Sequence, residues 1–475
     1  MNINSEMSNS LVIDMGIANK KLRLPEPFFN VTAKTAIVLM VLSAVMAGWG
    51  NMERFEDSLD WLKGHRVSNF YVLAGKALFF VNVAVLLWRV LLVARYRPVA
   101  PCRDEELPIC TVVIPAYNEG NMVVKTLHSV AQSDYPADKL QIIAVDDGSK
   151  DDTWYWIQHA AGLLGTKIET IRLEENGGKK KALYEGFIRS KGDIIVTIDS
   201  DSIIDADAIR CMVSPFCKDK RVGAVAGSVK VFNKDKGMIP KMLDVSFAFS
   251  FDFIRASQSE VDTVFCTPGA LSAYRKAPLM VVLDEWMAQT FMGKPAKIGE
   301  DRAMTNAILR EGHHVKFQSN AIVHTEVPVE YSKLCNMFLR WARSNIRETI
   351  VMGKFIFTKF RETPALGARV NFLLSAIDLT IVQVLLVGLL CCILWHPSVF
   401  VSQIIFCASL SSLIPASFYF IRRFNTDALW AIPYGIFWVF GLSWITMYSL
   451  CTVGNDKWLT REIKSSNLQS QAQAA

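Results

Sequence analysis

Apolar residues fall in two blocks, residues 35–95 and 372–452, with sequence of ordinary globular composition between them. That layout predicts a soluble domain inserted between membrane segments. The chain has 475 residues, more than one compact domain usually holds, and its 51% apolar content is high for a soluble protein. In the first block, residues 35–52 are an apolar run near the lower limit for a spanning helix. A mixed loop follows, in which Glu53, Glu56, Asp57 and Asp60 slightly outweigh Arg54, Lys63 and Arg66. Residues 70–94 form a second run, interrupted by Lys76 and Arg89. Three runs make up the second block: 372–395, 399–421 and 428–452. For the first pair, a helical hairpin buried in a core is the competing reading.

Lys20, Lys21 and Arg23 precede the first pair of runs, and Arg95 and Arg97 follow it. Positive flanks on both sides put the N-terminal arm and the inserted domain in the cytoplasm. The net charge of +6 is modest, and much of it lies beside apolar sequence. A lipid bilayer explains it better than nucleic acid, for which no aromatic-and-basic groove pattern exists. The ten cysteines lack zinc spacing, and Cys391, Cys392, Cys407 and Cys451 fall in apolar segments, so reduced thiols are expected. The first sixteen residues lack the layout of a cleavable signal. The expected organisation is an arm (1–30), two transmembrane helices (31–97) and a cytoplasmic catalytic domain (106–328). Interfacial amphipathic helices (329–369), about three transmembrane helices (370–453) and a polar tail (454–475) follow. Such a chain is a multi-pass protein of the cell (inner) membrane.

From about Cys110 short β-rich runs (TVVIP, LQIIAVD, KIETIRL, DIIVTID, VGAVAG) alternate with helical stretches. Alternation of this kind predicts an α/β domain with a parallel sheet. Four clusters lie where such a sheet puts its ligands, at the carboxyl ends of strands. They are Tyr117-Asn118-Glu119-Gly120, Asp146-Asp147-Gly148-Ser149, Asn176-Gly177-Gly178-Lys179-Lys180-Lys181 and Asp199-Ser200-Asp201. Three cations in the first turn of a helix are unfavourable unless an anion sits there, which points to a phosphate. Two carboxylates ending an apolar strand suit a hard divalent cation. Taken singly, each cluster is as well explained by an ordinary turn or a solvated face.

Their order resembles the nucleotide-binding half of the inverting family 2 glycosyltransferases, which have the glycosyltransferase A fold. The resemblance implies a uracil pocket at Tyr117, Asp146 and Asp147, with Glu119 and Lys179 near the nucleotide. Asp199 and Asp201 would hold the diphosphate with Mg2+ or Mn2+. Further on, Cys266-Thr267-Pro268-Gly269 and residues 285–306 resemble hyaluronan synthases and rhizobial chitooligosaccharide synthases before their catalytic Asp. Asp301 is then the general base and Glu300 its supporting residue, with Thr267, Pro268 and Gly269 on the acceptor side. By its sequence alone, Glu300-Asp301 reads equally as a helix N-terminus.

Arg340-Trp341 resembles the Q-x-x-R-W motif of processive members, where Arg contacts the diphosphate and Trp stacks on the acceptor sugar. Met337 stands in place of the Gln. Trp458-Leu459-Thr460-Arg461 is similar to the W-G-T-R motif of hyaluronan synthases, with Leu for Gly. His324 is the histidine best placed in sequence to approach a metal, though a structural histidine is equally consistent. The expected function is a membrane-embedded β-glycosyltransferase polymerising a UDP-sugar, UDP-N-acetylglucosamine first, onto a growing glycan. A chitin-like oligomer, hyaluronan or a related polysaccharide would leave through its own transmembrane region. The alternatives are a non-processive enzyme adding one sugar to a lipid-linked acceptor, and a transporter or scaffold with a degenerate nucleotide domain.

Overall fold

A computed structural model describes residues 28–164 and 168–455. Its centre is an eight-stranded mixed sheet. The strands are β1 (Cys110–Ala116), β2 (Leu140–Asp146), β3 (Ile168–Arg172), β4 (Ile194–Thr197), β5 (Ser202–Ile204), β6 (Val222–Val231), β7 (Ser272–Arg275) and β10 (His314–Thr325). Two short strands, β8 (Thr290–Phe291) and β9 (Lys294–Pro295), form a separate hairpin. The sheet order is β3-β2-β1-β4-β7-β6-β10-β5.

β1, β2, β3 and β4 are parallel, as the alternating pattern predicts. The second half departs from that expectation. β7 runs antiparallel to both β4 and β6, and β5 antiparallel to β10. Every residue of β1 and β4 is buried, because helices cover both faces, and this explains their unbroken apolar runs. One face carries the helices Met122–Ala131 and Ala208–Lys218, the other Lys179–Arg189, Lys276–Met287 and Glu300–Arg310. Gly186 lets the helix Lys179–Arg189 lie directly on β1, where an added Cβ would overlap Val113. The helix N-terminus is thereby brought to the edge of the ligand-binding end of the sheet.

Among the described residues, five helical stretches are long and apolar enough to cross a membrane: Asn30–Gly50, Ser68–Arg95, Leu366–Trp395, Pro397–Arg423 and Thr426–Cys451. The 28 residues of Ser68–Arg95 reach about 42 Å, beyond the ~30 Å of a bilayer core. Phe79, Phe80, Leu87 and Leu91 on it are exposed, an arrangement that calls for an apolar solvent. Two expectations need correction. The acidic linker is not a loop but a helix, Met52–Lys63, whose Phe55 and Trp61 pack on Phe400 and Trp395. The basic segment 329–369 holds one complete helix, Tyr331–Gly353, then turns, and ends in the first residues of the helix Leu366–Leu379. Arg361 anchors those turns to the sheet domain through the Val261 and Asp262 carbonyls and the Thr263 hydroxyl.

Candidate active site

The carboxyl ends of β1 and β2 are locked together before any ligand arrives. Asp147 N–H donates to the Ala116 carbonyl, and the Asp147 carboxylate accepts from Gly177 N–H at 2.9 Å. Burial pushes the Asp147 carboxyl up to about 6, against the pull of the Gly177 and Gly178 amides. Asp146 lies beneath it, fully buried, accepting from Ser149 N–H at 3.2 Å with Arg172 Nε 3.5 Å from its other oxygen. Glu119 accepts from the Ser200 hydroxyl at 3.0 Å and so ties the first turn to the Asp199-Ser200-Asp201 turn.

The three lysines opening the helix Lys179–Arg189 each have a protein partner. Lys181 pairs with Glu185 at 2.6 Å. Lys180 lies over the Trp286 ring, and burial lowers its ammonium to about 8. Only Lys179 reaches the cavity, where it is bonded to Asp199 and lies 3.3 Å from Glu300. Burial works against its charge, but Asp199 and Glu300 outweigh that and hold its pKa above the usual lysine value. Gly269 makes room for this ammonium, since an added Cβ would strike Lys179 Nζ.

Asp301 stands in the first turn of the helix Glu300–Arg310, with the left-handed Gly299 as its cap. Trp286 fixes this start by donating its indole N–H to the Glu300 carbonyl at 2.9 Å. Asp301 accepts from Arg302 N–H at 2.7 Å, and the Cys266 thiol donates to its other oxygen at 3.6 Å. Burial, then the charge of Glu300, raises the Asp301 carboxyl above the usual carboxylate range, while Lys179 opposes the rise. A carboxylate held in this way is a stronger base than one in water.

The helix Tyr331–Gly353 packs against the helix that carries Asp301 and is tied to it by Asn306, whose amide donates to Glu348. Arg340 and Trp341 project from it into one cavity of about 2010 Å³. Tyr117, Asp147, Lys179, Asp199, Asp201, Glu300, Asp301, Pro268 and Gly269 line the same cavity. Trp341 is 38% exposed and packs edge-on against Phe338, which leaves part of its surface open. Met337 also lines the wall, buried.

Three expected site residues stand behind the wall instead. Asp146 and Glu119 brace the turns, and Thr267 is fully buried, its hydroxyl bonded to Tyr274 and Thr305 at 2.8 and 2.9 Å. His324 bonds Asp205 at 3.0 Å and lines no part of the cavity. The tail motif at Trp458, Thr460 and Arg461 and the basic arm at Lys20, Lys21 and Arg23 lie outside the described residues. Arg255 lines the cavity without having been singled out by any local pattern, and Cys266, the first residue of the Cys266-Thr267-Pro268-Gly269 stretch, lines it as well. Among the described residues no cluster of three or more His, Cys, Asp or Glu is placed to hold a metal. Asp199 and Asp201 therefore fit a hard cation that takes its remaining oxygens from a ligand's phosphates, not an all-protein cage.

Residues 111–283 match the model of glycosyl transferase family 2. The chain is 30% identical over 364 residues to an N-acetylglucosaminyltransferase of Rhizobium meliloti (strain 1021), covering 76% of this chain and 83% of that one. It is 33% identical over 246 residues to an N-acetylglucosaminyltransferase of Neorhizobium galegae, covering 52% of this chain and 56% of that one. Among solved structures it is similar to the mannosyltransferase PcManGT from Pyrobaculum calidifontis in complex with GDP-Man and Mn2+. That likeness has a TM-score of 0.48 at 17% identity and covers 86% of this chain and 99% of that one.

Proposed function

Since the chain belongs to glycosyl transferase family 2, we propose that this glycosyltransferase polymerises a UDP-sugar, UDP-N-acetylglucosamine first, with inversion. The product is an extracellular β-linked glycan carried out through the enzyme's own membrane helices. One observation carries the reading: a single cavity is lined by the nucleotide-side turns, Asp301, Trp341 and the apolar helices together. At about 2010 Å³ it is larger than the roughly 300–1,000 Å³ of ordinary small-molecule pockets, so it has room for a donor and several sugars of product. The relatives' names support N-acetylglucosamine as the transferred sugar.

Tyr117 and Asp147 bind the uracil, while Lys179 and Arg340 neutralise the diphosphate. Asp199 and Asp201 hold Mg2+ or Mn2+, which when bound supplies Lewis-acid stabilisation of the departing UDP. Trp341 stacks on the terminal acceptor sugar, an apolar ring face against an aromatic one. Asp301 takes the proton from the acceptor hydroxyl as that oxygen bonds to the anomeric carbon and the bond to UDP breaks. Glu300 raises the basicity of Asp301 and anchors Lys179. The catalytic domain faces the cytoplasm, where UDP-sugars are made. The catalytic domain is 106–328, with the apolar helices on either side of it in the membrane.

The test is purified protein in detergent, supplied with a panel of UDP-sugars and Mg2+ or Mn2+, with product size measured. Long polymer from one donor supports the proposal. Single additions to a lipid-linked acceptor overturn it in favour of a non-processive transferase. Met337 favours that second reading, because a thioether lacks the paired hydrogen bonds of an amide.

A further inference from the structure

Two lysines on the cavity wall have no task in the transfer reaction described above. Lys294 lies on the hairpin β8–β9 and Lys297 just after it, outside the main sheet. Seven Lys and Arg side chains line the cavity, and only these two are exposed; the other five are buried or half-buried. Among the described residues neither has an ion-pair partner within 4.0 Å. On a convex surface water would satisfy them, and nothing more would follow. Here they face a cavity whose lining also holds seven carboxylates. Without the two lysines the lining would be two charges negative, a poor receptor for an anion. With them it is neutral, and the charge of a bound divalent cation is left to meet a diphosphate.

The backbone fixes where the two cations stand. Phe291 pairs with Lys294 and Thr290 with Pro295, across a turn in which Met292 and Gly293 both have positive φ, 51° and 77°. That is the type I′ geometry of a two-residue hairpin, which matches the twist of its strands. Beyond it, Ala296 and Ile298 are buried on either side of Lys297. Ala296 N–H donates to the Gln289 carbonyl at 2.9 Å, and Arg347 donates to the Ile298 carbonyl. Lys297 is therefore clamped at both neighbours while its own side chain stays in the open. The Ala296 carbonyl accepts from Lys180 at 3.4 Å, and Glu300, three residues past Lys297, lies 3.3 Å from Lys179. The clamp thus holds Lys297 beside the opening turn of the helix Lys179–Arg189, on the side of the cavity where Asp199 is bonded to Lys179.

We propose that Lys294 and Lys297 are further nucleotide-binding residues, which pair with the diphosphate of the incoming UDP-sugar. The inference rests on the UDP-sugar reading given above. The experiment uses the full-length protein in detergent with Mn2+, comparing wild type with Lys294→Met, Lys297→Met, the double variant and Lys297→Arg. Calorimetric titration with UDP, and with uridine as a competitor, reads the affinity for the nucleoside with and without its phosphates. Loss of one exposed charge pair predicts about fivefold weaker UDP binding for each Met variant and about twentyfold for the double. Lys297→Arg keeps the charge and should stay within about twofold of wild type. Raising the salt should weaken wild-type UDP binding more than that of the double variant. Both side chains are exposed, so melting temperatures should not move. UDP affinity unchanged in the double variant overturns the proposal, and so does an equal loss for uridine, which would make the lysines merely structural. Wild-type protein that binds no UDP with metal present refutes the UDP-sugar reading instead, and that result is visible before any variant is made.

Discussion

Replacing Asp301 by Asn removes the proposed base with minimal change of shape. Asn Oδ1 can still accept from Arg302 N–H, which is 2.7 Å from the carboxylate, and the amide can face the Cys266 sulfur. The helix loses one negative charge at its N-terminus, worth about 0.3–1 kcal/mol, but a buried charge is removed with it. Folding stability should therefore change by less than about 1 kcal/mol. A positioned base contributes roughly 10²–10⁴ in rate, which is about 2.7–5.5 kcal/mol of barrier. UDP release from UDP-N-acetylglucosamine is expected to fall by that factor. Lys179 keeps its bond to Asp199 and its contact with Glu300, and Asp147 keeps the Gly177 turn, so UDP affinity should stay within about threefold. Calorimetric titration with UDP beside a coupled UDP-release assay measures both. A rate loss below about tenfold, or a matching collapse of UDP affinity, would falsify the assignment of Asp301 as base.

Three further outcomes follow from the same geometry. Asp301 works deprotonated and its carboxyl is held high by burial and then by Glu300, so activity is lost as pH falls through that raised value. Glu300→Gln removes the like charge, and the acid limb of the rate profile should move to lower pH; an unmoved or higher limb counts against the coupling. Gly269→Ala puts a methyl group where Lys179 Nζ lies, and because that ammonium ends a flexible chain the fold should survive. UDP binding should weaken about tenfold through loss of one charge-assisted contact, with the melting temperature little changed. Chelation of divalent metal should abolish UDP release, with Mg2+ or Mn2+ restoring it. Asp201→Asn should raise the metal concentration needed for half-maximal rate, and an unchanged requirement would remove Asp201 from the metal site.

The membrane-capable helices and the parallel half of the sheet were legible in the chain because each is declared locally. A run of twenty apolar residues needs an apolar solvent wherever it folds. Four β-rich runs separated by helical periods have few ways to pair except in parallel. The turns at Tyr117, Asp147 and Asp199 were legible for the same reason, since each lies within two residues of the end of its strand, and Lys179 opens the helix that follows β3. Less was visible of β7. Its four residues carry no distinctive pattern, and its antiparallel insertion between β4 and β6 depends on partners far away in sequence.

Which candidate side chains face the cavity was settled only by packing. Asp146 is the last residue of β2 and Asp147 the first of the turn after it; one is sealed beneath the sheet end and the other lines the cavity. Thr267 and Gly269 divide likewise, the hydroxyl turning into the core and the glycine yielding its space to Lys179. The three lysines have equal standing in sequence, yet helix geometry sends Lys181 toward Glu185 and Lys180 over Trp286. Arg89 and Asp378 line one cavity although nearly 300 positions separate them, and no local signal links them. Chain order thus carries the kinds of chemistry this protein can hold, because residue type and strand ends are local properties. Only the tertiary structure assigns each group to wall, core or ligand, because burial and charge pairing depend on what the rest of the chain brings alongside.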